Sequence, residues 1–179
     1  MALTKDDKYL FIANNKGSLR QYDLKQKYQK LVMEYSYLCD TGFISIKLTN
    51  DNNHLFIGGD YEGKLKHFSL TKNAIEIENC IKIYDNDCTS FCITNNSKYL
   101  FIGFWNGFLI QFYVKTGIRV KNYGIVMECS LTSMFITSDD KQLFVGGYDG
   151  YLSQIDIKKQ KLVKNYCKIH NDSLNLIHC

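Results

Sequence analysis

Tyr99-Leu100-Phe101-Ile102-Gly103 is the stretch that decides the fold, because close copies of it occur three more times in the chain. The other copies are Tyr9-Leu10-Phe11-Ile12-Ala13, His54-Leu55-Phe56-Ile57-Gly58 and Gln142-Leu143-Phe144-Val145-Gly146. Their leucines lie 45, 45 and 43 residues apart. Such regular spacing indicates a repeat array in which each copy contributes the same local structure.

The fourth copy shows the parts of one repeat, which we predict to contain four short strands. Strands a, b, c and d cover residues 133–137, 142–146, 150–157 and 161–166. Polar turns separate them, rich in Asn, Asp and Gly because these residues tolerate positive φ. Helical repeats have periods of about 33 or 34 residues, whereas about 40 to 45 is typical of four-stranded propeller blades. We therefore predict an all-β fold, a β-propeller of about four four-stranded antiparallel blades.

The strands of a repeat differ in composition. The run Leu100-Phe101-Ile102 in strand b is apolar without alternation, which predicts a central strand covered on both faces. Strand d is more polar, as in residues 161–166, and this predicts an outer edge strand.

Composition and charge restrict the class of protein. The chain of 179 residues is 45% hydrophobic and 22% charged, which favours a folded globular protein. No apolar run approaches the roughly 18 residues of a membrane span, and the N-terminus lacks the order of a secretory signal. The net charge of +4 is small for this length and does not indicate a nucleic-acid partner. We expect an intracellular, cytoplasmic protein without membrane insertion.

The cysteines do not form a recognisable framework. Seven is an odd number, and the cysteines have no fixed place in the repeat, so we expect reduced thiols. Cys88 and Cys92 share one face of a predicted strand but lack the tight turn of a zinc knuckle. We predict no metal site and no cofactor.

The repeat pattern resembles the WD40-repeat β-propeller family over essentially the whole chain. Residues 136–150 look like that family's stretch from strand a to the turn between strands b and c, and Ile155-Asp156 stands where its Trp-Asp signature would stand. The signature tryptophan is missing from every copy, and the Gly-His signal keeps only His170. The resemblance implies the family's hydrogen-bond network only in part, so apolar packing has to hold the blades. Quinoprotein-like propeller repeats also fit, although a single Trp disfavours their enzymatic form.

Blade number is the main structural question. We divide the chain, as a single domain covering 1–179, into repeats 1–43, 44–88, 89–131 and 132–173, with 174–179 starting a further strand. The resemblance implies rings of six to eight blades, so we expect an incomplete or fragmentary WD40-like propeller. Two chains forming one ring as a homodimer, further blades from a longer chain, and four blades closing alone all remain open.

No catalytic motif emerges from the sequence. The glycine-rich segments 58–63 and 146–150 recur at one phase of the repeat and match turns rather than a phosphate-binding loop. Paired carboxylates such as Asp139-Asp140 recur in the turn between strands a and b, where solvated turn residues are expected. We predict no catalytic residues and no enzymatic activity.

One turn position suggests a binding surface. The turn between strands b and c carries an aromatic residue in three successive copies, followed directly by a polar residue. Together they form the aromatic arc, a predicted partner-binding surface: Tyr61, Trp105 and Tyr148, followed by Glu62, Asn106 and Asp149. Trp and Tyr carry much of the binding energy at protein interfaces. The alternative is that each ring only covers its own turn.

A second position in strand c is polar in every copy, at Gln21, His67, Gln111 and Gln154. We interpret these residues as structural, lining a central channel or a solvated face.

The whole pattern favours a non-catalytic protein–protein interaction scaffold that presents propeller loops to other proteins. The alternative is a substrate-recruiting or regulatory propeller module of a larger multidomain protein or enzyme.

Overall fold

The computed structural model of the chain describes residues 1–14, 16–28, 30–36, 38, 45–58, 63–70, 75–83, 86–166 and 168–170. For residues 75–82 the description covers the backbone alone. The chain forms two compact units, Met1–Asp87 and Cys88–Cys179. In the described ranges all regular secondary structure is β-strand.

The first unit contains two four-stranded antiparallel sheets, in which the strands pair in chain order. The first sheet consists of β1 (Ala2–Leu3), β2 (Tyr9–Ala13), β3 (Leu19–Asp23) and β4 (Lys30–Tyr35). The second sheet consists of β5 (Ser45–Leu48), β6 (His54–Gly58), β7 (Lys64–Leu70) and β8 (Ile75–Lys82).

The second unit repeats this plan with two further four-stranded antiparallel sheets. One sheet consists of β9 (Cys88–Ile93), β10 (Tyr99–Phe104), β11 (Phe108–Tyr113) and β12 (Arg119–Ile125). The other consists of β13 (Leu131–Ile136), β14 (Gln142–Gly147), β15 (Leu152–Asp156) and β16 (Lys161–Tyr166).

A threonine after the first strand of each sheet closes the turn to the second strand. The Thr94 hydroxyl oxygen accepts a 2.9 Å hydrogen bond from the Tyr99 N–H and donates one of 2.8 Å to the Asn96 side chain. Ser97 in this turn has a φ of 57°, in the left-handed region. The same hydroxyl-to-backbone bond occurs at Thr4, Thr49 and Thr137, and the left-handed residue is Asp7, Asn52 and Asp140 in those turns.

The second strand of each sheet supplies much of the core. In β10, Leu100, Phe101 and Ile102 are buried, as the continuous apolar run predicts. In β2, by contrast, Leu10 and Ile12 are only half-buried. The core of the second unit draws its buried side chains from both of its sheets: Phe101, Leu109, Val126, Met127, Leu131, Ile136, Leu143, Val145, Ile155 and Ile157.

The first strands of the two sheets in the second unit lie side by side. The hydroxyls of Thr89 and Ser90 in β9 each donate a 2.7 Å hydrogen bond to the carbonyl oxygen of Leu131 in β13. A Cβ atom at Gly103 would lie 2.9 Å from the Leu131 Cβ and 2.8 Å from the Ser90 Oγ. The close approach of these sheets therefore requires glycine at position 103.

The prediction of an all-β fold built from four-stranded antiparallel sheets is confirmed. Strand β16 spans the residues predicted for strand d, and its side chains are mostly exposed. The closure of the sheets into a propeller stays a prediction, and the strand predicted to start at 174–179 lies outside the described residues. The described part of the chain contains no helix of the length and apolar character that a membrane crossing needs.

Candidate functional site

Two equivalent turns of the second unit present aromatic side chains to solvent. The Gly107 N–H bonds the Phe104 carbonyl at 3.1 Å, and the Gly150 N–H bonds the Gly147 carbonyl at 3.2 Å. Gly107 and Gly150 have φ values of 78° and 83°, which favour glycine. Each turn therefore displays its second residue, and Trp105 and Tyr148 are 61% and 63% exposed.

The segment between β12 and β13 packs closely against both turns. A Cβ atom at Gly147 would lie 2.5 Å from the Cys129 Sγ and 2.8 Å from the Met127 Sδ, and one at Gly107 would overlap the Met127 carbonyl oxygen. Glycine is needed at position 107 because a Cβ atom would overlap backbone there, whereas at position 147 the side chains of Met127 and Cys129 would have to move.

Backbone hydrogen bonds fix this segment at both ends. The Val126 N–H donates to the Gly107 carbonyl, and the Tyr148 N–H donates to the Ser130 carbonyl, each at 2.9 Å. The positions of the two aromatic residues are thus set by backbone contacts rather than by their side chains.

A cavity of about 550 Å³ opens between the turns. We call it the aromatic pocket, and its lining residues are Trp105, Asn106, Ile125, Glu128, Cys129, Ser130 and Tyr148. The pocket brings together three members of the predicted arc, Trp105, Asn106 and Tyr148. The Asn106 side-chain oxygen accepts a 3.4 Å hydrogen bond from the Phe108 N–H, which holds it inside its own turn.

Asp149, the fourth described member of the arc, does not line this pocket but contacts the lining residue Cys129. Its Oδ1 atom accepts a 2.9 Å hydrogen bond from the Cys129 thiol. Burial and this hydrogen bond to Asp149 raise the pKa of the Cys129 thiol. Cys129 packs against the turn at Gly147, and its thiol is the donor in the bond to Asp149.

A second cavity of about 930 Å³ is also lined by residues of this segment. Ile125 and Glu128 line both cavities, and Asp149 lines only the second. Tyr61 and Glu62, the remaining members of the predicted arc, lie outside the described residues. The arc as a set of three rings therefore stays a prediction, whereas the pairing of Trp105 and Tyr148 is observed.

The repeat alignment missed Glu128, Cys129 and Ile125 as pocket residues. Ile125 ends the fourth strand of its sheet, and Glu128 and Cys129 lie in the connection that follows, which differs in sequence between copies and so carries no repeat signal. Only the packing of that connection against two turns of the same geometry places them at the pocket.

The polar positions of strand c are largely internal. Gln111 is fully buried, and its side-chain oxygen accepts a 2.9 Å hydrogen bond from the Tyr123 hydroxyl, whose pKa is raised by burial. The buried His67 ring lies 2.9 Å from His54, measured from Nε2 to Nδ1, and stacks on Phe56 at 4.5 Å. Gln111 and His67 do not lie on a solvated face, and their contacts fit the structural interpretation.

Two further observations concern possible metal ligands and similarity to known proteins. Within the described ranges, no three His, Cys, Asp or Glu side chains are grouped so as to hold a metal ion. Comparison with models of protein families finds no match to the chain, and comparison with curated proteins finds none either. The aromatic pocket is therefore interpreted from its own geometry.

Proposed function

We propose that this protein is a non-catalytic protein–protein interaction scaffold, and that the aromatic pocket is its partner-binding surface. One observation carries the proposal. The only tryptophan of the chain and a tyrosine at the equivalent turn position are both mostly exposed, and both line one cavity.

Burial statistics and rigidity support a binding role for these rings. Tryptophan is highly buried on average, so a mostly exposed Trp beside a second exposed ring is unusual for a surface with only a structural role. Trp and Tyr are enriched among the residues that dominate binding energy, where truncation costs about 2 kcal/mol or more. The turns that hold them are fixed by backbone bonds, so binding orders few additional groups.

The scaffold proposal includes a WD40-like propeller architecture and a cytoplasmic location. The repeat period near 45 residues and the four four-stranded antiparallel sheets in chain order support this architecture. The alternative, a recruiting or regulatory module of a larger protein, uses the same surface and stays a prediction.

A capture experiment with matched variants tests the proposal. The double variant Trp105→Ala/Tyr148→Ala removes both pocket rings, whereas the control Tyr28→Ala/Ile118→Ala removes two side chains that are 85% and 62% exposed elsewhere. Cell extract is passed over each immobilised protein, bound proteins are quantified by mass spectrometry, and each specific candidate is then purified.

We expect the wild type and the control to retain a common partner that the pocket variant loses. Direct binding of the purified partner to the pocket variant should be weaker by a factor of about 30 or more. Equal binding to all three proteins, with unchanged thermal unfolding, would contradict the proposal.

A further inference from the structure

We propose that the aromatic pocket receives a cationic side chain, an arginine or a lysine, from a basic segment of the protein partner. The inference rests on the proposed function and names the chemistry of the partner. Three features of the described residues support it: rings that no cation covers, a carboxylate without an ion pair, and a lining without basic residues.

Three half-buried tyrosine rings elsewhere in the chain each lie under a lysine ammonium group. The ammonium groups of Lys8, Lys98 and Lys164 lie 4.6, 4.9 and 4.5 Å from the ring centres of Tyr9, Tyr99 and Tyr166. In the part of the chain that the structure describes, no lysine or arginine takes this position over Trp105 or Tyr148. Their faces are free for a cation from another molecule, and Trp is the best ring for that interaction.

Glu128 gives the pocket a negative charge. Its side chain is exposed, and it forms no ion pair with any described residue. None of the described residues that line the pocket is basic. Asp149 lines the adjoining cavity that shares Glu128, so a second carboxylate lies nearby. This local negative charge contrasts with the net charge of +4 for the whole chain.

The arrangement of these groups suits a charged head on an aliphatic stem. Ile125 supplies an apolar wall, the two rings supply flat faces, and the Glu128 carboxylate is an acceptor for a guanidinium or ammonium group. The pocket volume of about 550 Å³ lies within the range of roughly 300 to 1,000 Å³ that small-ligand sites occupy. The Glu128 carboxylate would repel an acidic segment. A purely apolar segment would bury that carboxylate without a partner.

The fluorescence of Trp105 provides the test, because it is the only tryptophan in the chain. The protein of 179 residues is titrated with three peptides: Gly-Arg-Gly-Arg-Gly, the same peptide with lysine, and the same peptide with citrulline, which keeps the shape of arginine without its charge. The titrations are repeated with Glu128→Gln and with Glu34→Gln, a control at an exposed glutamate of strand β4 that is paired with Arg20.

We expect saturable changes in emission with the arginine and lysine peptides, and binding of the citrulline peptide weaker by about fivefold or more. Glu128→Gln should weaken arginine binding by a similar factor, whereas Glu34→Gln should leave it unchanged. Equal binding of the arginine and citrulline peptides, or wild-type binding by Glu128→Gln, would overturn the inference. No response to either basic peptide would overturn it as well.

The capture experiment and the peptide titrations distinguish failure of the proposed interaction surface from failure of the proposed cationic occupant. If the pocket variant loses its partner but the wild type ignores both basic peptides, the interaction surface stands and the cationic occupant is wrong. If the pocket variant captures the partner as the wild type does, the proposed function fails whatever the peptides do.

Discussion

The backbone N–H of Asn95 in one sheet donates a 2.6 Å hydrogen bond to the Asp140 carboxylate in the corresponding turn of the next sheet. The Asn96 N–H donates to the other carboxylate oxygen at 2.9 Å, and the Asn95 side-chain amide adds a third bond of 2.9 Å. In the first unit Asn52 occupies the place of Asp140 and accepts a 3.1 Å bond from the Lys5 N–H. The same turn position thus links neighbouring sheets within both units.

Asp140→Ala should destabilise the second unit by about 1 to 3 kcal/mol, because the N–H groups of Asn95 and Asn96 lose a charged acceptor. Asp140→Asn should cost less, because an amide oxygen still accepts, as it does at Asn52. Asp7→Ala is the matched control. Asp7 is also a left-handed turn residue. Among the described residues, its side chain makes no bond to another turn. Chemical denaturation of each variant measures the difference, and equal losses for Asp140→Ala and Asp7→Ala would contradict the role of the link.

Leu100→Ala should cost about 2 to 5 kcal/mol, since the side chain is 1% exposed within β10 and its removal leaves a cavity. Leu162→Ala on the outer strand β16 is the control, and because that side chain is 42% exposed we expect at most about 1 kcal/mol. Asn96→Ala, in the turn, should be milder than Leu100→Ala. Similar unfolding midpoints for Leu100→Ala and Leu162→Ala would overturn the strand assignment.

The hydrogen bond between Tyr123 and the buried Gln111 allows a test of how much a buried polar pair contributes to stability. Among the described residues, Gln111 Nε2 is the buried side-chain polar atom without a hydrogen-bond partner. Tyr123→Phe should cost about 1 to 3 kcal/mol because it leaves the Gln111 oxygen unsatisfied too. The double variant Tyr123→Phe/Gln111→Met should recover most of that loss, since both partners then become apolar. A double variant less stable than Tyr123→Phe alone would show that the glutamine has another partner.

Acid should weaken the turn at Asp139. The Thr137 hydroxyl, the Lys141 side chain and the Lys141 N–H all bind the carboxylate and lower its pKa to about 2. A lowered folded-state pKa stabilises the fold above the ordinary value near 4, and this contribution is lost as the pH falls toward about 2. Asp139→Asn should therefore lose less thermal stability than the wild type between about pH 5 and pH 2. Parallel pH profiles for the two proteins would contradict this assignment.

The incomplete-propeller proposal predicts association in solution. An array of about four blades that does not close leaves strand edges unpaired, and such edges pair with other chains. We expect light scattering to give a mass above that of one 20.8 kDa chain, rising with protein concentration. A monomer that unfolds cooperatively at all concentrations would mean that the four sheets close on their own.

The sequence predicted the parts of this fold that depend on local chemistry. The Thr94 and Thr137 turns, the buried run of β10 and the exposed strand β16 all follow from residue type and spacing within one repeat. The repeat also placed Trp105 and Tyr148 at one turn position. Glu128 and Cys129 escaped prediction because the connection that carries them differs in sequence between the copies, and only tertiary packing brings it to the pocket.

The emission of Trp105 during binding of the purified partner tests most directly the claim that the aromatic pocket is the interaction surface. The account predicts a shift of the emission to shorter wavelength and protection from a soluble quencher such as acrylamide, because the partner covers a ring that is 61% exposed in the free protein. A partner that binds fully while Trp105 keeps its free emission and its free quenching would contradict the account.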